Sequence, residues 1–237
     1  MMTSYVCFDL ETTGLSPDKD EIIEIGGVKV EEGKVTDRFS RFIKPTSPIS
    51  DRVRQITGID NDMVAEALPT EEVIFDFIEF CKDQPLLGHN ISFDYRFMKR
   101  YAAKYYMPFE KAGVDTLKIA RIVHKDLPSR SLGSLCDHYQ IINPSAHRAY
   151  HDALATAKIY QSMKHYFGKV RPELFEAISL DGGRKKIQPA TARQKVYLKD
   201  LAKYHKIKLS NDVDTLTRSE ASRMIDGIIF RFGRMLR

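Results

Sequence analysis

The chain has 237 residues, 43% hydrophobic and 29% charged, a composition that suits a soluble globular protein with a large core and room for an appendage. Its apolar runs are too short to cross a bilayer, and its first residues lack the basic start of a signal peptide, so a membrane protein or an exported one is not expected. The net charge of +5 is uneven: residues 183–237 carry 14 Lys and Arg against 5 Asp and Glu, and residues 1–182 carry 23 against 27. The acidic part suits cations, while the basic part suits a polyanion or is a solvated helical surface.

Residues 5–10 alternate and then turn apolar, as a buried strand does. Strands follow over 22–30 and 35–43, joined by the hairpin turn Glu31-Glu32-Gly33-Lys34. Helical spacing covers 50–56 and 70–81, the second opening on Thr70 as cap with Glu71 and Glu72 behind it. A short strand at 85–88 precedes a helix over 92–105. Another at 114–116 precedes a helix over 117–124, and further helices cover 131–138 and 151–167. A meander of strands followed by alternating strands and helices predicts an α/β protein, a mixed sheet with helices on both faces. From 168 the pattern weakens. Helical spacing resumes over 191–205 and 217–232, the latter opened by the capping box Thr217-Arg218-Ser219-Glu220. The expected organisation is a domain at 1–170, a linker at 171–190 and a basic helical module at 191–237.

Cys7, Cys81 and Cys136 are odd in number and widely spaced, so they read as buried free thiols in a reducing compartment, and a cytoplasmic protein is the expectation.

Asp9 and Glu11 stand at i and i+2 on a strand and share a face. Asp94 follows Gly88-His89-Asn90 at a strand-to-helix turn, and Asp152 stands near a helix start, five residues after His147. Each alone has an ordinary reading, as a strand-end acid or as a helix N-terminal acid favoured by the dipole. Together they read as a carboxylate cage for two divalent cations, Mg²⁺ or Mn²⁺, hard ions that prefer oxygen ligands. Without cations such a cluster raises its own pKa values. A loop histidine, titrating near neutrality, is suited to take a proton from water beside that cage. His124, His138, His151 and His165 read as solvated side chains.

The three segments resemble the motifs of the DnaQ-like, DEDDh branch of 3′→5′ exonucleases, a family that includes the epsilon-type proofreading subunits of bacterial DNA polymerase III. Asp9, Glu11, Thr12, Thr13 and Gly14 match the first motif. Gly88, His89, Asn90, Phe93 and Asp94 match the second, and His147, Ala149 and Asp152 the third. The resemblance covers residues 4–167. It implies a ribonuclease H-like fold with a five-stranded mixed sheet. It implies two metal ions held by Asp9, Glu11 and Asp152, with Asp94 acting through water and His147 as general base. The products would be nucleoside 5′-monophosphates, cut from single-stranded DNA or frayed 3′ ends. By the same carry-over, the backbone around Thr12, Thr13 and Gly14 holds the terminal 3′-hydroxyl. Leu15 wedges beside the last base, Phe93 stacks on a base, Asn90 binds near the scissile end or braces the loop, and His89 belongs to the same substrate-binding set. Core packing is the competing reading for Leu15 and Phe93.

The basic module resembles a SAP-like helical unit, and its candidate phosphate contacts are Arg184, Lys185, Lys186, Arg193, Lys195, Lys199 and Lys203. Three other functions stay open at this point: an exoribonuclease trimming RNA, a non-catalytic nucleic-acid-binding module, and a subunit that docks to a DNA polymerase. No motif here reads the 2′-hydroxyl, and none marks an oligomeric state.

Overall fold

The computed structural model describes residues 1–181, 189–207, 209 and 213–235. The chain divides into two compact units, Met1–Asp181 and Gly182–Arg237.

The first unit is built on one mixed sheet of six strands. Strand β1 (Tyr5–Thr12) lies inside it. It pairs antiparallel with β2 (Ile22–Glu31), which pairs antiparallel with β3 (Lys34–Phe42). On its other side β1 runs parallel to β4 (Leu86–Gly88) and β4 parallel to β5 (Ala112–Asp115), and β6 (Ile178–Ser179) closes the edge antiparallel to β5. The β2–β3 hairpin turns at Gly33, whose φ of 81° lies in the left-handed region open to glycine.

Side-chain alternation divides β1 between two cores. Val6, Phe8 and Leu10 pack with Phe77 of α3 (Thr70–Cys81) and Phe97 of α4 (Ser92–Lys104). Tyr5 and Cys7 point the other way, into a cluster with Leu87 and Tyr160. That side is covered by α5 (Thr116–Val123), α6 (Leu132–Tyr139) and the long α7 (Ala149–Phe167). Asp9 and Glu11 continue the Tyr5–Cys7 row and so face α7. Two short helices, α1 (Asp51–Thr57) and α2 (Asn61–Ala65), bury Val53 and Val64 beside Ile23.

Several expectations change. The sheet gains a sixth strand. The first unit runs to Asp181 instead of 170, because the weakly patterned stretch after α7 folds onto the body. Its 3-10 turn Pro172–Phe175 buries Phe175, whose carbonyl accepts the Met2 N–H at 3.1 Å, and β6 joins the sheet just beyond. Thr70 is not the cap of α3. Pro69 holds that position with no side-chain hydrogen bond, and Glu71 and Glu72 supply the favourable charge alone. Helix α2 went unforeseen, although Asp60 caps it by accepting from Met63 N–H at 2.9 Å. All three cysteines are buried and unpaired.

The second unit holds α8 (Ala192–Tyr204) and α9 (Arg218–Phe232), each opened by a capping box, Thr191–Gln194 and the foreseen Thr217–Glu220. Leu198 and Leu201 pack with Val213, Leu216, Ala221 and Ile228, and Ala190 N–H donates to Leu216 at 2.8 Å. Lys208 and Ser210 of the joint between the helices lie outside the described residues. Among the described residues no helix is long and apolar enough to cross a membrane.

Candidate active site

Three elements converge where β1 ends. The β1 register sets Glu11 opposite Glu24 of β2. Helix α4 starts beside it, and Asp94 in its first turn accepts the Leu10 N–H at 3.1 Å, so the second acid segment is tied to the first by a buried hydrogen bond. Helix α7 lies across the same face with Asp152 in its first turn. Asp152 is held at both oxygens: Asn143 Nδ2 donates to Oδ1 at 2.6 Å and the His147 N–H donates to Oδ2 at 3.0 Å. His147 is exposed, on a backbone with φ of 63°. That left-handed conformation is uncommon for a residue with a side chain, and it occurs where surroundings over-determine it.

The acids are close enough to resist ionisation together. Glu11 is pushed up to about 8, first by burial and then by Asp152, Glu24 and Asp94. Asp94 is also pushed up to about 8 by burial, against the pull of the N–H groups of Asp94 and Leu10. Asp9 is raised well above the carboxylate range by burial and then by Asp94, Glu11 and Asp152. Asp152 is raised by burial, which the Asn143 and His147 donors oppose. Such a cluster fits cations: Glu11, His147 and Asp152 each offer a ligand atom, and these atoms lie within 4.8 Å of one another. Asp9 and Asp94 border that group. His147, expected as a base, is thus also placed as a nitrogen donor beside two carboxylates.

The loop after β1 is tightly made. Thr12 Oγ1 donates to Gly14 O at 2.6 Å. Thr13 Oγ1 accepts from Glu21 N–H at 2.9 Å, while the Thr13 N–H is already committed to Glu21 O at 2.8 Å. A side chain at Gly14 would stand 2.4 Å from the Asp20 carboxylate, which accepts the Ser16 N–H at 2.8 Å. Leu15 is 83% exposed at the loop tip, which removes the core-packing reading for it. Phe93 is half-buried against the core, with Phe97 at 5.1 Å between ring centroids. His89 Nδ1 lies 3.0 Å from Thr116 Oγ1, and the exposed Asn90 donates its N–H to Asp115 Oδ1 at 3.0 Å. Both contacts brace the second motif on the start of α5.

Sequence reasoning missed a partly buried ion pair beside the site. Glu24, 1% exposed, receives Arg148 Nη2 at 3.0 Å and Arg148 Nε at 3.2 Å, and the Ala149 N–H at 3.2 Å. This fork fixes the residue next to His147 onto β2. Gly26 makes room for it: a Cβ there would stand 2.0 Å from the Tyr150 nitrogen. A signal was present, a lone acid inside the apolar run Ile22-Ile23-Glu24-Ile25. Asn143 and Asp115 were also missed. Asp115 was legible as the cap of α5, whose Leu117 N–H it accepts at 3.0 Å.

In the second unit Arg193 and Lys203 are exposed. Lys195 and Lys199 reach Asp214, at 3.6 and 3.2 Å. Arg184, Lys185 and Lys186 lie outside the described residues.

A mixed sheet that gathers carboxylates from three distant segments beside an exposed histidine defines a class, the metal-assisted nucleases with a ribonuclease H-like fold. The exonuclease family model matches residues 6–160, and the chain belongs to that family. Over 159 residues it is 43% identical to the PolC-type DNA polymerase III of Caldanaerobacter subterraneus subsp. tengcongensis. That match covers 67% of this chain and 11% of the polymerase, so the chain spans about a ninth of that relative's length. Among solved structures it is similar to exonuclease X in complex with 5′ overhanging duplex DNA, with 27% identity and a TM-score of 0.55, over 70% of this chain and 93% of that one. It shares its fold with E. coli exonuclease I in complex with a dA16 oligonucleotide, with 19% identity and a TM-score of 0.63, over 73% of this chain and 42% of that one.

Proposed function

We propose that the chain is a 3′→5′ exonuclease that hydrolyses single-stranded DNA or frayed 3′ ends to nucleoside 5′-monophosphates in the cytoplasm, in proofreading, repair or replication. The observation that carries this is the grouping of Glu11, His147 and Asp152 within 4.8 Å beside Asp9 and Asp94. Asp9, Glu11, Asp94 and Asp152 would hold two divalent cations, Mg²⁺ or Mn²⁺. When bound, those ions supply Lewis-acid stabilisation of the scissile phosphate and its leaving oxygen. His147 takes the proton from the attacking water at a ring nitrogen. Its exposure lets that proton pass to solvent.

Other residues position the substrate. Leu15, projecting from a loop braced at Thr13 and Asp20, wedges beside the terminal base. The backbone at Thr12 and Gly14 borders the 3′-hydroxyl, and Asn90 faces the scissile end. DNA is assigned over RNA because a relative 43% identical over 159 residues is a DNA polymerase and exonuclease X was solved with DNA. A replicative DNA polymerase is the proposed protein partner, and the basic helical unit a secondary nucleic-acid contact.

The test is a gel assay on matched 5′-labelled single-stranded DNA and RNA, with Mg²⁺, Mn²⁺ or EDTA and with Asp9→Ala as the blank. The expected result is DNA shortened from its 3′ end in the presence of metal only. Faster RNA trimming would reassign the substrate. No cleavage of either, with binding retained, would leave a binding or polymerase-docking module.

A further inference from the structure

Helix α4 begins in the acid cluster and leaves it along the surface. Two residues after Asp94 its solvent-facing positions run Arg96, Arg100 and Lys104, all exposed, spaced i, i+4 and i+8. Helix geometry sets successive members about 6 Å apart along the axis. The other exposed positions of the helix are Ser92 and Ala103, so this face carries no acid. A single-sign face departs from the interspersed charge that suits a surface serving solubility alone. The flank of the same helix shows the difference: Lys99 is taken up by Asp181 and lies 3.6 Å from Glu110.

The stripe is available. Among the described residues neither Arg96, Lys104 nor Lys19 has a carboxylate within 4.0 Å. Arg96 Nε donates to Ser92 O at 3.0 Å. Lys104 sits over the rings of Tyr101 and Tyr105, at 5.7 and 5.2 Å. Arg100 meets the Asp18 carboxylate, itself 91% exposed, at 3.6 Å and donates to the Asp18 carbonyl at 3.1 Å, surface contacts that a phosphate can replace. Arg100 and Lys104 line a groove of about 510 Å³ together with Lys19, Ser50 and Thr13. Asp20 and Glu21 also line the groove, where Asp20 accepts the Ser16 N–H at 2.8 Å and Glu21 accepts from Thr46 N and Oγ1 at 3.0 and 2.9 Å, which aims those oxygens at neutral donors and not at the cations of the stripe. Just past the helix Tyr106 is 96% exposed with φ of 58°, an uncommon backbone that holds an aromatic face in solvent.

We infer that the outer face of α4 and the groove at its end are a track for the sugar-phosphate backbone of single-stranded nucleic acid. It carries the strand that trails behind the scissile end. Cations at regular steps neutralise successive phosphates without reading bases, and the exposed Tyr106 offers a stacking face that tolerates any sequence. Only the direction of the strand rests on the exonuclease reading; the binding does not.

The experiment uses the full chain in EDTA, where binding is separated from cleavage. Fluorescence anisotropy follows a labelled oligothymidylate, long enough to span α4, across a salt series. In R96A/R100A/K104A the slope of log K against log salt is expected to fall by about 2, at about 0.7 per lost contact on a single strand, with K99A close to wild type. Should the triple variant unfold, R100A and K104A singly are each expected to lower the slope by about 0.7. An unchanged slope, or an equal loss in K99A, overturns the track. In Mg²⁺ the triple variant is expected to lose kcat/KM on the long strand while retaining it on the p-nitrophenyl ester of thymidine 5′-monophosphate, too short to reach the helix. Equal losses on both also overturn it. If wild type cleaves neither DNA nor RNA but the slope still falls, the exonuclease reading fails and the track stands.

Discussion

The catalytic end of the first unit and the helical second unit both concentrate charge, in opposite ways. At the first, Glu11, Asp94 and Asp152 are 8%, 4% and 7% exposed, and their neighbours include one another. In the second, Lys195 and Lys199 stand near Asp214 at the surface, and Arg193 and Lys203 face water. Burying like charges costs free energy, and the cost persists only where a ligand or a reaction uses it. Exposed charge costs almost nothing and so says little by itself. The acid cluster therefore marks a site that a ligand uses, while the charge of the basic unit is of the kind that any solvated surface carries.

The largest test of that contrast replaces single acids. Asp9→Asn or Asp152→Asn is expected to abolish cleavage, while the metal-free protein melts at a higher temperature than wild type because a repulsive charge is gone. A variant that loses both activity and stability would mean that the cluster holds the fold together and is not strained by its own charge. His147→Ala comes next. Loss of a general base lowers kcat by about 10²-fold or more, and steady-state kinetics at saturating metal and DNA would read it. A full rate would place the base elsewhere.

Smaller effects are expected one layer behind. Glu24→Gln keeps an acceptor but removes the charge that grips Arg148, so the loop carrying His147 loosens. A kcat loss of about tenfold, with KM nearly unchanged, is the expected result, since small misplacements of a reacting group are costly. The double variant with Arg148→Gln should be no slower than the worse single one if the pair acts as a unit. Additive losses would give the two residues separate roles.

This pair also marks where the sequence stops being readable. Asp9 and Glu11 announce their shared face because strand alternation is local. Glu24 and Arg148 are 124 residues apart, and their meeting depends on the β2 register and on the close approach of α7 over Gly26. Leu15 was ambiguous for a different reason. An apolar residue at an element end reads alike whether packed or projecting, and only its 83% exposure decides. Residues 171–181 had no period because their order comes from tertiary contacts of Phe175 and β6. The charge of Lys195 and Lys199 was legible, while the Asp214 that answers them is brought close only by folding.

Acidity separates the two units further. Glu11 and Asp94 are held near 8, far above their values in an unfolded chain. Between about pH 4 and 8 the folded protein therefore binds protons that the unfolded chain has released. The stabilising contribution is complete at the acid end of that window and is lost as pH rises through 8. Metal-free wild type is expected to fall behind Glu11→Gln in melting temperature by on the order of a few degrees towards pH 8, with Mg²⁺ closing the gap. A gap that is constant across the window would mean that Glu11 ionises normally.

The smallest expected effect falls on the basic unit, where the contrast is easiest to break. Lys195 and Lys199 are partly answered by Asp214, so Arg193 and Lys203 are the described candidates from the original set that remain open to phosphate. Replacing both with alanine is expected to lower the salt slope of single-strand binding by about 1.4 if each makes one contact, against about 2 for the α4 stripe. A Lys195→Ala/Lys199→Ala variant should change it less. Should the two pairs prove equal, surface pairing would not have spared Asp214's partners, and exposure alone would govern the unit's affinity. Should neither pair matter while the α4 variants do, the strand is held by the nuclease body, and the basic helices are left for a protein surface.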